Sequence, residues 1–327
     1  MNSKTILVIA FGGTIAMTRT ATGGIAPSLS ADDLLRAVPG LDGIARLEAI
    51  SPFQLPGASL GFDHLTQVMA LINARAAGGI DGAVIVQGTD TIEETAFVLD
   101  CLLAPGLPVV VTGAMRGPEA PGADGPANLA AAVTVAAAPE ARDLGVLVVL
   151  NDEVHAARFV RKAHTSLPSS FTSAPHGPLG QVIEARFRLA TRPIRAGRPP
   201  LAPVSPPPPV AVVQLGLGEG GRLLAALPDL GYQGAVIAGM GAGHVPQSCV
   251  APLEILAARM VTVLGTRVAE GPVLSETYGF PGSERDLLSR GLIGGEALGP
   301  VKARLLLQMA LAAGLSRGDI ARLFAEA

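Results

Sequence analysis

The chain has 327 residues, more than a single hydrophobic core usually organises, so two domains are expected. Residues of apolar type make up 49%, only 16% are charged and the net charge is −3. That composition excludes a disordered chain and a nucleic-acid binder with its basic stripe, and leaves small acidic or zwitterionic ligands open.

In chain order, residues 6–11 form a continuous apolar run that stops at Gly12-Gly13 and the hydroxyl of Thr14. Such a run reads as a strand buried on both faces, as in parallel sheets covered by helices. Ligands of open α/β sheets bind at the carboxyl ends of strands, and two glycines allow a sharp turn and close approach, so Thr14 stands where a nucleophile would. This strand begins too near Met1 for a leader and is too short to cross a bilayer. The two cysteines lie far apart, with Cys101 in an apolar helical pattern where a buried thiol is expected. A cytoplasmic, reduced protein, not bound to membrane, is the expectation.

Residues 17–30 are polar and glycine-rich and read as a surface loop or an active-site lid. A helix is predicted over 31–38 and an irregular stretch over 53–61. Asp63 is the expected cap of a helix whose apolar positions Leu65, Val68, Met69, Leu71 and Ile72 recur at helical spacing up to Gly78-Gly79. The strand predicted over 83–86 ends in Gln87-Gly88-Thr89-Asp90-Thr91, and a helix follows over 92–103, with Thr91 and Glu94 at capping-box spacing. The strand at 108–111 ends in Thr112-Gly113-Ala114-Met115-Arg116. Pro126 suits the first turn of a helix over 127–138, and a strand at 144–150 ends in Asn151-Asp152. Four strands alternating with helices predict a parallel sheet joined by right-handed crossovers, with four polar strand ends on one rim.

Residues 154–188 are mixed in pattern and carry a basic knot of Arg158, Arg161, Lys162 and His164. The proline-rich stretch 191–209 reads as an extended linker. The expected organisation is an α/β fold with a larger, mostly parallel, doubly wound domain over 1–190 and a smaller α/β domain over 210–327. The latter carries strands at 210–215, 235–238 and 261–264, helices at 252–259, 301–313 and 317–325 (capped by Ser316), and an irregular stretch at 265–289.

Gly216, Gly218 and Gly221 match the spacing of a dinucleotide fingerprint, but no acidic residue stands between Gly231 and Val250 to hold a ribose. The first rim offers more: hydroxyls at Thr14 and Thr89, the carboxylate of Asp90, and a cation from Lys162. A threonine hydroxyl must lose its proton to a base as it attacks, and a desolvated lysine can be that base. Asp90 can orient the lysine or bind a substrate ammonium, while backbone N–H groups near the glycines can hold an oxyanion. Thr-Asp at a helix start is also an ordinary cap, and spacing alone leaves both readings open.

FGGTIA (11–16) together with QGTDTIEET (87–95) is similar to the paired signatures of the bacterial L-asparaginase and glutaminase family. The resemblance continues through TGAMR (112–116), ADGPANL (123–129), GVLVVLNDEV (145–154), GPLG (177–180) and KARLLLQMAL (302–311). It implies two α/β domains and a homodimer or homotetramer whose sites are completed across the dimer interface. It implies hydrolysis of a small amide, that of L-asparagine first, with ammonia released and neither metal nor cofactor used. Thr14 would be the acylated nucleophile and Thr89, Asp90 and Lys162 the activating set. Ser59, Asp90, Ala114, His244 and Glu284 would contact substrate, the last two from the partner subunit.

Three departures from the family pattern stand out. The lid tyrosine aligns with Gly24, and no tyrosine precedes Tyr232; the set that holds the substrate's α-carboxylate and α-amine aligns with Gly57-Ala58-Ser59; the partner asparagine falls near His244. Tyr278, in the lengthened stretch 275–284, is the candidate to replace the missing phenol. The departures keep two alternatives open, a glutaminase or amidase for another small amide, and a non-catalytic metabolite-binding module on the same fold.

Overall fold

The structure is a computed structural model and describes residues 4–19, 25–27, 29–194, 200–202 and 206–326. The chain divides into two compact units, Met1–Arg195 and Ala196–Ala327.

The first unit starts with β1 (Thr5–Ala10), the short ladder of β2 (Met17–Arg19) with β3 (Ile25–Pro27), helix α1 (Ala31–Arg36) and β4 (Arg46–Ile50). It continues with α2 (Phe62–Ala77), β5 (Gly82–Val86), α3 (Ile92–Leu102), β6 (Val109–Thr112), α4 (Gly125–Ala137) and β7 (Val146–Leu150). The remainder is strand only: β8 (Glu153–Ala156), β9 (Arg161–Lys162), β10 (Phe171–Thr172), β11 (Gly180–Ile183) and β12 (Arg186–Leu189). Eight strands form one sheet in the order β12-β11-β8-β7-β6-β5-β1-β4. Strands β7, β6, β5, β1 and β4 run parallel, and β8, β11 and β12 extend the sheet antiparallel.

Ile6, Leu7, Val8 and Ile9 are all fully buried, each burial being worth about 1.5–3 kcal/mol. Cross-strand partners share a face: Ile6, Val8, Ala10, Val84, Val110 and Leu147 pack with Leu34 of α1 and Leu129 of α4 in one core. The alternate residues point to the other face, where α3 packs on β6 and β7 and α2 on α3. The sheet is therefore covered on both faces, as its uninterrupted apolar strands require.

Several expectations are corrected. Residues 46–50 form an edge strand that the sequence reading passed over, since Arg46 and Glu48 break its apolar run. The crossovers are not all of one hand. The connections through α1, α2 and α3 share a hand, whereas α4 lies on the α1 face although the chain steps the same way as at β5-α3-β6. Since about 98% of such units are right-handed, β6-α4-β7 is the left-handed one. The buried side chain of Asn128 holds it in place: its Nδ2 donates to Gly113 O at the end of β6 (2.9 Å), and its Oδ1 accepts from Asn151 N beyond β7 (2.9 Å). Gly82 leaves room for the helix's last turn, since a Cβ there would lie 2.5 Å from Ala136 O.

Asp63 does not cap α2. It sits inside the first turn, and the Gly61 N–H donates to His64 Nδ1 (3.0 Å). Thr91 makes no capping bond to α3, so the predicted box with Glu94 does not form. Residues 17–19 and 25–27 pair as strands where no regular structure was expected. Residues 20–24 and 28 of the proposed lid, including Gly24, lie outside the described residues. The mixed region after β7 is a hairpin extension whose turn residues Asn151 and Asp152 adopt φ 53° and 60°, a left-handed geometry asparagine and aspartate tolerate.

In the second unit, β13 (Val210–Gln214), α5 (Arg222–Ala226), β14 (Gly234–Gly239), α6 (Val250–Arg259), β15 (Val261–Thr266), α7 (Glu284–Ser289) and β16 (Ile293–Gly294) lead to α8 (Pro300–Ala312) and α9 (Arg317–Ala325). All four strands are parallel in the order β13-β14-β15-β16. The Ser316 hydroxyl accepts from Asp319 N and caps α9 as expected. The stretch read as irregular over 265–289 ends in α7, capped by Ser283. Cys101 and Cys249 are both buried, and neither forms a disulfide.

Candidate active site

In the order β4-β1-β5, the chain leaves β1 toward one edge and later returns to β5 on its other side. This reversal opens a crevice at the carboxyl ends of β1 and β5, where ligands of such sheets bind. Thr14 follows β1 and Thr89 follows β5. The ladder closes with Phe11 N donating to Val86 O (2.9 Å), after which Gly12 and Gly13 take φ 102° and 86°. A Cβ on Gly13 would fall 2.1 Å from Gly88 N, so the two loops touch backbone to backbone one residue before each threonine.

Lys162 reaches the same rim from β9, which pairs with β10. Its Nζ donates to Thr89 Oγ1 (2.9 Å) and Asp90 Oδ1 (2.8 Å). The lysine side chain is 16% exposed and that of Asp90 67%, so one partner is screened by protein and the other faces solvent. An open pocket of about 330 Å³ lies over the pair, lined by Asp90, Lys162, Ala163, His164 and Thr165. Ala114 is fully buried at the end of β6; a Cβ on its neighbour Gly113 would lie 3.4 Å from Thr89 Cγ2.

Ser59 ends a short 3-10 turn, Gly57–Ser59, and is exposed. Leu55 N donates to Phe11 O (2.7 Å), and a Cβ on Gly57 would lie 2.8 Å from Gly88 O. The turn is therefore seated on both loops that carry the threonines. Two residues that sequence reasoning did not assign to the site hold it there. Thr91 Oγ1 donates to Gly57 O (2.9 Å) and accepts from Gln87 Nε2 (3.2 Å), which also donates to Gly88 O (3.3 Å). Both lie within the 87–95 signature, where Thr91 carried the signal of a helix cap and Gln87 had no assigned role.

Tyr278, His244 and Glu284 gather in the second unit. Glu284 is fully buried; its Oε1 accepts from Tyr278 N (2.7 Å) and Thr277 N (3.0 Å), and its Oε2 lies 3.2 Å from His244 Nε2. Burial alone would raise its pKa, but those N–H donors and the His244 ring outweigh it and hold the carboxyl below its usual range. The His244 ring packs edge-on against Tyr278 (4.7 Å) and Phe280 (5.0 Å), which are both half-exposed.

Residues 5–195 match the family model described as Asparaginase, N-terminal, and residues 209–324 the Glutaminase/Asparaginase C-terminal domain. The chain is 34% identical over 317 residues to the L-asparaginase of Bacillus licheniformis, covering 95% of this chain and 96% of that protein. It is 37% identical over 326 residues to a probable L-asparaginase of Deinococcus radiodurans, covering 98% and 97%. The crystal structure of a probable cytoplasmic L-asparaginase from Campylobacter jejuni superposes with a TM-score of 0.89 at 31% identity, covering 99% of this chain and 100% of that one.

Proposed function

The chain belongs to the asparaginase family, and we propose that this amidohydrolase cleaves the side-chain amide of L-asparagine through a threonyl acyl-enzyme. The observation that carries the reading is the Lys162 amine, hydrogen-bonded to both Thr89 and Asp90 at the crevice that also receives Thr14.

In this reading the Thr14 hydroxyl oxygen attacks the amide carbon while its proton passes to a base. The carbonyl becomes an oxyanion facing backbone N–H groups of the glycine loops, an interaction worth on the order of 100-fold in rate per donor. The C–N bond then breaks, and the departing nitrogen takes a proton and leaves as ammonia. Water attacks the Thr14 ester, and aspartate leaves with the hydroxyl restored. Lys162 serves as the base that takes up the proton of the Thr89 hydroxyl, which in turn deprotonates the attacking hydroxyl or water. Asp90 keeps the lysine aimed, and its exposed carboxylate is accessible to a substrate ammonium. Every step uses hydroxyl, amine, carboxylate and backbone N–H.

Ser59 and Ala114 are the further contacts in the first unit. His244, Glu284 and Tyr278 are proposed to reach a neighbouring subunit's site in a homodimer or homotetramer, with Tyr278 supplying the phenol that Gly24 lacks. A cytoplasmic location completes the proposal and is supported by the Campylobacter relative; among the described residues no helix is long and apolar enough to cross a membrane.

A second reading, a glutaminase or an amidase for substrates without a free α-amino group, is favoured by one observation: the Gly57–Ser59 turn offers a single side-chain hydroxyl for recognition. Ammonia release measured over asparagine, glutamine, their D-forms and simple amides separates the two. Activity confined to amides that are not amino acids sinks the asparaginase assignment. Thr14→Ala is expected to abolish turnover while retaining binding, and unchanged activity in that variant would make the chain's Thr14 chemistry untenable.

A further inference from the structure

Thr91 occupies the N-cap position of α3, yet its hydroxyl makes no bond to the helix. Helices gain from a threonine cap, so a hydroxyl withdrawn from that role while standing in place has been taken up elsewhere. It donates to Gly57 O, 34 residues back in the sequence, in the turn that presents Ser59. Its proton committed to that carbonyl, its oxygen must accept, and Gln87 Nε2 is the donor. The same nitrogen also faces Gly88 O, which fixes the amide's orientation, because a flip would set two acceptor oxygens against each other.

Gln87 is fully buried, and its Oε1 has no hydrogen-bond partner. A buried acceptor left unpaired is costly, and most buried polar atoms in folded proteins avoid it. The amide group is therefore kept at an energetic disadvantage for what its nitrogen does. The backbone is equally intolerant of slack, since a Cβ on Gly88 would fall 2.8 Å from Gly57 N.

We propose that Thr91 and Gln87 are positioning residues that brace the Gly57–Ser59 turn against the Thr89–Asp90 turn, and that this brace sets how tightly substrate is held rather than how fast it reacts. The proposal rests on the reading that Ser59 touches substrate in an amide-cleaving site. The recognition turn belongs to the loop between β4 and α2, with no strand ladder of its own, so the hydroxyl bridge gives it the rigidity of the β5 terminus. Of the two threonines in Thr89-Asp90-Thr91, one contributes to the reaction and the other to the seat of the substrate.

The test compares Thr91→Val, Thr91→Ala and Thr91→Ser in the full chain. Thr91→Val keeps the shape and loses the bridge; its KM on the best amide substrate is expected to rise about tenfold with kcat within about twofold, the pattern of lost uniform binding. Hydrogen exchange of residues 57–60 is expected to quicken about tenfold, because local opening no longer breaks that bond. Thr91→Ser restores both, and Thr91→Ala behaves like the valine variant. Unchanged KM and exchange, a kcat loss at constant KM, or failure of serine to restore them overturns the brace. A lowered melting temperature alone, with KM and exchange unmoved, overturns it as well. If the wild-type chain releases ammonia from no amide, the function proposed above fails separately, and the exchange comparison alone then decides the brace.

Discussion

Lys162 and Thr89 stand 73 residues apart in the sequence and 2.9 Å apart in the structure. The contact joins a two-residue strand to the end of a buried parallel strand, and it exists because the antiparallel extension β8 to β12 leaves the edge of β7 with β9 and β10 folded beside the rim. Lys162→Met is expected to lower kcat by about 100-fold to 10,000-fold, the usual range for loss of a general base. The melting temperature should hardly move, because an ion pair with a 67% exposed partner contributes about 1 kcal/mol at most. Ammonia release and thermal melts on the same preparation measure both; retained turnover removes Lys162 from the site.

The junction of Gly13, Gly57 and Gly88 admits no side chain. Gly88 has φ −66°, allowed for any residue, so Gly88→Ala is resisted by contact alone, with Gly57 N at 2.8 Å from the new Cβ. Overpacking of this kind costs about 1–3 kcal/mol. The variant is expected to fold, melt lower and lose most of its activity as the Ser59 turn is pushed away. Gly13→Ala adds a φ of 86° to a 2.1 Å clash and is expected to be the worse of the two. Urea denaturation with parallel activity assays ranks them, and equal effects would argue against the backbone contact.

His155 connects the fold to acid sensitivity. It is 1% exposed, its Nδ1 lies 2.9 Å from Ser173 Oγ, and burial pushes its pKa down from 6.5 to about 4. Between those values the unfolded chain binds a proton that the folded chain refuses, so stability falls as the pH drops below about 6.5 and the loss levels off below about 4. The full loss is about 3 kcal/mol, most of it reached by pH 4.5. His155→Gln removes the titration, and its urea midpoint is expected to shift less between pH 7.5 and 4.5 than that of the wild type. Equal shifts would place the acid sensitivity elsewhere.

Tyr278 is 42% exposed, with its ring on His244. If its phenol replaces the one absent at Gly24, Tyr278→Phe is expected to lower kcat on asparagine by about tenfold or more while leaving the fold intact. A normal kcat on every accepted amide ends that assignment.

The buried strands and the rim they end on were legible because fully buried parallel strands write themselves as unbroken apolar runs. Residues 6–11 and 83–86 therefore marked Thr14, Thr89 and Asp90 as candidates at strand ends, while the spacing left the ordinary cap reading of Thr-Asp open beside the catalytic one. Other features depend on partners distant in the chain. Residues 46–50 became a strand by pairing with β1, which their mixed polarity did not announce, and without that strand there is no crevice between β1 and β5. The hand of the α4 crossover shows only when α4 is seen to share the α1 face of the sheet, and the hydroxyl of Thr91 reads as a cap until Gly57 is seen beside it. Local periodicity determined which residues are buried and where the polar ends fall; only the tertiary structure decided which of those ends meet, because hydrogen bonds across tens of residues leave no periodic trace in the chain.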